Sequence, residues 1–98
     1  MKKVLNPKEA KYLEQIPNIG PEIAKDLCEI GIKYPKDLIG KDGIRLYHTL
    51  SKVSGIVHDP CVADVFMAAV DFMETGKVKK WWEFTSERKR VLKAGNKK

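Results

Sequence analysis

The sequence predicts an all-α fold, and three observations lead to that prediction. Apolar residues recur at helical spacing along most of the chain, and proline and glycine separate the segments that show it. No alternation of apolar and polar residues is long enough to indicate a sheet. The chain has 98 residues, the length of one domain. Its 43% hydrophobic and 33% charged residues are typical of an ordered globular protein.

The first helix is predicted to begin at Asn6. Asn6 is a good cap, Pro7 suits the first helical position and Glu9 can bond back to the cap. Apolar residues follow at helical spacing as Ala10, Leu13 and Ile16. The sequence Pro-Asn-Ile-Gly at residues 17–20 should end this helix, because proline disfavours it and both Asn and Gly tolerate positive φ. We call this segment the 17–20 turn.

Three further elements follow in order. Pro21 opens a second helix, which Gly31 should cap, with Ile32 packing back on its last turn. Its apolar stripe consists of Ile23, Ala24, Leu27, Cys28 and Ile30. A short connector helix is predicted over residues 35–39, and a longer one from about Asp42 to about Val53.

The most apolar helix is predicted to begin at Asp59-Pro60 and to end before Gly76. Apolar residues lie on nearly all its sides, which indicates a central, buried helix. Thr85 or Ser86 should cap a last helix. That helix is expected to dock chiefly through Trp81, Trp82 and Phe84.

Charge is concentrated at one end of the chain, whose net charge is +6. Residues 77–98 hold nine basic and two acidic side chains, whereas residues 1–76 are almost neutral. A cationic patch of this kind favours binding to polyanions such as nucleic acid, although a solvated tail would show the same composition. We therefore divide the chain into residues 1–76 and a basic, tryptophan-containing extension of the same domain, residues 77–98.

The 17–20 turn should leave backbone N–H groups exposed at a helix N-terminus, an arrangement that attracts phosphate. Ile19 is expected to plug the gap between the flanking helices, and small Ala24 lets them approach. Here the sequence resembles the helix-hairpin-helix family, whose turn usually reads Gly, apolar, Gly. That resemblance implies binding to the DNA backbone without sequence preference. Asn18 stands where that family usually has its first glycine.

A weaker copy of the same pattern surrounds residues 53–66, with Gly55 where Asn18 stands in the first. Paired motifs of this kind imply a tandem helix-hairpin-helix fold, SAM-like, with about five helices. The string IPNIGPEIAKDL, the later HDPC and the adjacent tryptophans resemble the small bacterial "pathogenicity locus" family. Up to Leu50 the chain is also similar to the C-terminal domain of bacterial competence regulators.

These observations predict an accessory module that binds nucleic acid, DNA foremost, through its phosphates. The predicted contacts are Asn18, Ile19, Gly20, Lys25, Lys79, Lys80, Arg88, Lys89, Arg90 and Lys93. Glu22 and Asp26 argue against this reading, because carboxylates beside a phosphate site lower affinity. If these carboxylates prevent phosphate binding, the two turns serve only to pack the helices against each other. The alternative function is a protein-interaction adaptor that offers its tryptophans to an acidic partner.

No catalytic activity is expected. Cys61, near His58 and at a helix start, is the one candidate reactive thiol, but the sequence favours the simpler interpretation of Asp59 as a cap and Cys61 as a packing residue. The spacing of cysteine and histidine does not suggest a metal site, and we expect no cofactor. With two cysteines and no apolar stretch of signal-peptide length at the N-terminus, a cytoplasmic protein with free thiols is expected.

Overall fold

A computed structural model describes the backbone of residues 2–95 and the side chains of residues 2–91. This part of the chain contains four α-helices, four 3-10 helices and no strand, which confirms the all-α prediction. The helices are α1 (Pro21–Glu29), α2 (Gly43–Ser54), α3 (Cys61–Thr75) and α4 (Thr85–Gly95).

The prediction of one N-terminal helix is wrong. The structure has two separate 3-10 helices there, Pro7–Glu9 and Leu13–Gln15. Asn6 does cap the first one, accepting a bond from the Lys8 amide at 3.0 Å. The Gln15 side chain accepts hydrogen bonds from the amides of residues 11 and 12, at 2.8 and 3.0 Å, so it holds the chain away from an α-helical path.

Helix α1 ends as the sequence predicts. Gly31 has φ +89°, its amide donates to the carbonyl of Cys28, and the amide of Ile32 donates to that of Leu27. This pair of bonds is the Schellman arrangement, and it brings the buried side chains of Leu27 and Ile32 together. Cys28, expected on the apolar stripe, is instead exposed.

The connector is a single 3-10 helix, Pro35–Leu38. Helix α2 then begins after Asp42, whose carboxylate accepts from the amides of residues 44 and 45. Gly43 is required by packing: a Cβ there would lie 2.6 Å from the backbone nitrogen of Met67. The absent side chain therefore lets α2 cross closely over α3.

Helix α3 is the centre of the core, as predicted. Phe66, Ala69 and Phe72 are at most 1% exposed, and residues from the other elements pack around them. Gly76, with φ +77°, ends the helix. Of the residues described, none belongs to a helix long and apolar enough to cross a membrane.

One polar residue, Asp64, is completely buried within α3. The Nε of Arg88 donates to one carboxylate oxygen of Asp64 at 2.8 Å, and the Thr85 hydroxyl donates to the other at 2.6 Å. Arg88 is itself only 8% exposed, and the hydrogen bond to Asp64 raises the pKa of its guanidinium. This ion pair joins α4 to the central helix, in addition to the apolar docking of the 3-10 helix Trp81–Phe84.

Breaking this pair should destabilise the fold strongly. We expect Arg88→Met to lower the free energy of unfolding by about 3–5 kcal/mol, because it leaves the Asp64 carboxylate buried without its charge partner. Exposed Arg90 provides the matched control. Arg90→Met should change the free energy of unfolding by less than about 0.5 kcal/mol. Urea unfolding measures both, and equal effects would contradict the assignment.

Candidate functional site

The 17–20 turn has the left-handed bend that the sequence predicts, at Asn18, where φ is +74°. Ile19 is fully buried beneath the turn, and its amide donates to the carbonyl of Ile16 at 3.2 Å. Both the side chain and the N–H of Ile19 are therefore engaged within the protein. Ile19 supports the turn and is not available as a ligand contact, contrary to its predicted place among the contacts.

Other amides of this turn remain open. Among the described residues, the structure records no acceptor for the amides of Gly20, Glu22 and Ile23. Gly20, the cap of α1, has φ −96°, so the positive φ that glycine tolerates is not used there. Apart from its two neighbours in the chain, no described residue has a heavy atom within 4 Å of the place that a Cβ would take there. Neither backbone conformation nor space therefore requires glycine, and its missing side chain leaves the start of α1 uncovered.

Lys3 places a positive charge at the same turn. Its ammonium donates to the backbone carbonyls of Ile19 and Glu14, the latter at 2.6 Å. Desolvation lowers the pKa of Lys3, and the nearby Glu14 opposes that effect. Sequence reasoning missed this residue because its position depends on a distant backbone bond, from the Val4 amide to the Gln15 carbonyl at 3.0 Å.

The side chain of Asn18 connects this turn to the other end of the chain. Its Nδ2 donates to the backbone carbonyl of Lys79 at 2.7 Å. This bond spans 61 residues of sequence and brings the basic segment, residues 77–80, beside the 17–20 turn. The backbone of the first basic residues of the extension therefore lies beside this turn.

The remaining predicted cations differ in exposure and in side-chain contacts. Lys25, Lys80, Lys89 and Arg90 are exposed. The Lys79 ammonium lies 3.8 Å from a carboxylate oxygen of Asp71 and 5.5 Å from the centre of the Phe84 ring.

Of the other two predicted contacts, one lies in the interior and the other is not described. Arg88, predicted to contact phosphate, is held by Asp64 in the interior and belongs to the scaffold. The side chain of Lys93 lies outside the described residues.

Acidic groups also lie near the turn. Glu22 is exposed in the first turn of α1. Asp26 is half-buried, and desolvation raises the pKa of its carboxyl group, against an opposing effect of His58. Glu22 reduces the positive potential at the helix start.

The second copy of the pattern, around residues 53–66, is only partly similar to the first. Gly55 has φ +75°, almost the value of Asn18. Ile56, however, is 60% exposed, whereas Ile19 is fully buried. The Tyr47 hydroxyl donates to the carbonyl of His58, and the imidazole of His58 lies 2.9 Å from the Ser54 hydroxyl. These contacts hold the loop from within.

Cys61 does not have the environment of a reactive thiol. Its hydrogen bond to the Asp59 carboxylate raises the pKa of the thiol, and burial acts in the same direction. The Asp59 carboxylate also accepts from the Cys61 amide at 2.9 Å, the position of a helix cap. Among the described residues, no three His, Cys, Asp or Glu side chains converge as metal ligands would.

Alkylation of Cys61 should accordingly be slow. In a Cys28→Ser background at mildly alkaline pH, we expect Cys61 to react more slowly than cysteine in a model peptide, because less of it is thiolate. Asp59→Asn removes the negative charge that raises the thiol pKa, so it should speed the reaction. A fast wild-type rate, unchanged by this variant, would contradict the geometry.

Asn18 should contribute to stability in two separable ways. Asn18→Gly keeps the positive φ but loses the bond to Lys79, which we expect to cost about 1 kcal/mol in unfolding free energy. Asn18→Ala also loses the bond and adds a further cost of about 1–2 kcal/mol for left-handed backbone. Urea unfolding of both variants measures the difference, and two equal losses would show that the backbone conformation is unstrained.

Comparison with known proteins gives the relationship of the chain. The family model described as Cdd1, pathogenicity locus, matches residues 6–90. The mitomycin resistance protein McrB of Streptomyces lavendulae is 38% identical over 80 residues, which cover 82% of this chain and 76% of that protein. No solved structure matches. The family match spans most of the residues described above, and the chain therefore belongs to the pathogenicity-locus family.

Proposed function

We propose that this protein binds nucleic acid, DNA foremost, through the sugar–phosphate backbone and without reading base sequence. One observation supports this more than any other: the 2.7 Å bond between the Asn18 side chain and the Lys79 carbonyl. It joins the 17–20 turn, which we interpret as a turn of helix-hairpin-helix type, to the backbone of the basic segment. That link supports a single binding surface built from both parts of the chain.

The donors around the turn suit a phosphate oxygen. The amides of Gly20, Glu22 and Ile23 lie at the N-terminus of α1, where the helix dipole favours an anion. Lys3 and Lys80 supply charge from outside that helix. Backbone amides and lysines contact phosphates, which carry no sequence information, so this surface favours affinity without base specificity.

Glu22 sets a limit on that affinity. A carboxylate in the first turn of α1 stabilises the helix by interacting with its dipole, and it repels a phosphate at the same place. We therefore propose weak, strongly salt-dependent binding, because lysine–phosphate contacts release counterions. Such binding suits an accessory module.

The name of the relative McrB, a mitomycin resistance protein, is the basis for a proposal about the role of this protein in the cell. We propose that this protein also contributes to resistance against mitomycin, and that its turn is needed there too.

Exposed apolar residues favour a second candidate function, a protein-interaction adaptor. Val53, Ile56 and Val57 are 59%, 60% and 88% exposed and lie close in sequence. The tryptophans first considered for this role differ: Trp81 packs against the core, so Trp82 alone is open. A partner captured after nuclease treatment and lost on Ile56→Ser would favour this function.

The central test replaces Gly20 by serine. Serine is a better helix cap than glycine, and its hydroxyl would occupy the amides that we assign to phosphate. We expect Gly20→Ser to leave stability unchanged or raise it by a few tenths of a kcal/mol, and to weaken binding to a short labelled duplex roughly tenfold. Fluorescence anisotropy at low salt measures the affinity.

Two variants that each remove one lysine charge provide a matched comparison. Lys80→Gln should weaken duplex binding and reduce the slope of affinity against salt by about 0.9. Lys41→Gln removes the same charge from a groove beside Ile32 and Asp37, and it should change neither quantity. Survival of expressing cells on mitomycin, compared between wild type and Gly20→Ser, is the cellular readout. No duplex binding by the wild type at low salt would refute the proposal.

A further inference from the structure

The two adjacent tryptophans have different surroundings. Trp81 is half-buried and packs against the hydrophobic core. Trp82 is 57% exposed, and its ring lies edge-on to that of Trp81, with 5.6 Å between the ring centres and an angle of 84°. Trp81 thus anchors the segment, and Trp82 presents a large aromatic surface to solvent.

The backbone that carries Trp82 is held on both sides. Before it, the Lys79 carbonyl is bound by Asn18, and the Lys80 amide donates to the Glu83 carboxylate at 2.7 Å. After it, α4 is held to α3 through Arg88 and Asp64. An exposed aromatic ring on a fixed backbone loses little conformational entropy when a ligand binds to it.

The charge next to this ring indicates the kind of ligand. The Lys80 ammonium lies 6.0 Å from the centre of the Trp82 ring, at the outer limit of a cation–π contact. An aromatic group that also carries negative charge satisfies both residues at once. A nucleotide has this combination, since its base can stack on the indole while its phosphate reaches the lysine.

We propose that Trp82 stacks on an unpaired nucleobase next to a duplex, so that the protein prefers a duplex with a single-stranded extension to a blunt one. This inference rests on the proposed function. The bond between Asn18 and Lys79 places the stacking residue and the phosphate-binding turn on connected segments. A base inside a duplex has both faces covered by its neighbours, and a base at a blunt end is still held by its pairing partner. An unpaired base is free to turn outward and stack on the Trp82 ring.

The test compares three labelled ligands with the full chain: a blunt duplex, the same duplex with a short thymine extension, and the extension alone. Stacking of one base contributes about 1–3 kcal/mol, so wild type should prefer the extended duplex roughly 5- to 150-fold. Trp82→Ala should abolish this preference and leave blunt-duplex affinity unchanged. Trp82→Phe should retain part of it.

Tyr34 provides the matched control, because it is another aromatic residue with 57% of its surface exposed. Tyr34→Ala should keep the full preference. Quenching of tryptophan fluorescence by the extended duplex gives a second readout. It should be strong in the wild type and weak in Trp82→Phe, in which Trp81 remains. A thermal melt identical to that of the wild type shows that the variants are folded.

The outcomes separate this inference from the function on which it rests. If the wild type binds both duplexes equally, or if Trp82→Ala weakens both equally, stacking is refuted and backbone binding stands. If single strands bind through Trp82 while Gly20→Ser has no effect, stacking stands and the role of the turn is refuted. Quenching by an acidic peptide, without binding of any oligonucleotide, would refute both and favour the adaptor.

Discussion

The buried ion pair between Asp64 and Arg88 fixes the arrangement of the chain's two ends. A lone carboxylate inside the apolar helix α3 would cost several kcal/mol, and the side chains that satisfy it both come from α4. Helix α4 therefore cannot separate from α3 without leaving the buried Asp64 carboxylate unpaired or exposing it to solvent. Because α4 is fixed, the 3-10 helix before it and the basic segment are fixed too. The contact between Asn18 and Lys79 therefore depends on the ion pair that holds α4 in place.

Local signals were sufficient to predict most helix boundaries. The caps at Asp42, Gly31 and Gly76 act within a few residues of themselves, and each ends or begins a helix where its chemistry predicts. The N-terminal segment failed because helical spacing alone does not exclude a competing side chain. There, Gln15 takes two amide hydrogens that an α-helix would have bonded to carbonyls.

The candidate site was predictable only where it is local. The sequence indicated the bend at Asn18 and the open helix start after Gly20, since both follow from backbone chemistry. It did not distinguish Arg88 from the basic residues around it, because the difference is a partner 24 positions away. Asp64 was the available signal: a carboxylate on the most apolar helix requires a cation. Lys3 gave no such signal, because its acceptors are backbone carbonyls.

The junction between the two ends has an evolutionary consequence. Asn18 holds the main-chain oxygen at position 79, so almost any amino acid there preserves the link. With respect to this bond, related sequences can therefore vary at position 79 while Asn18 stays under constraint. Covariation, which detects paired substitutions, would find no trace of this contact, although it joins residues 61 positions apart.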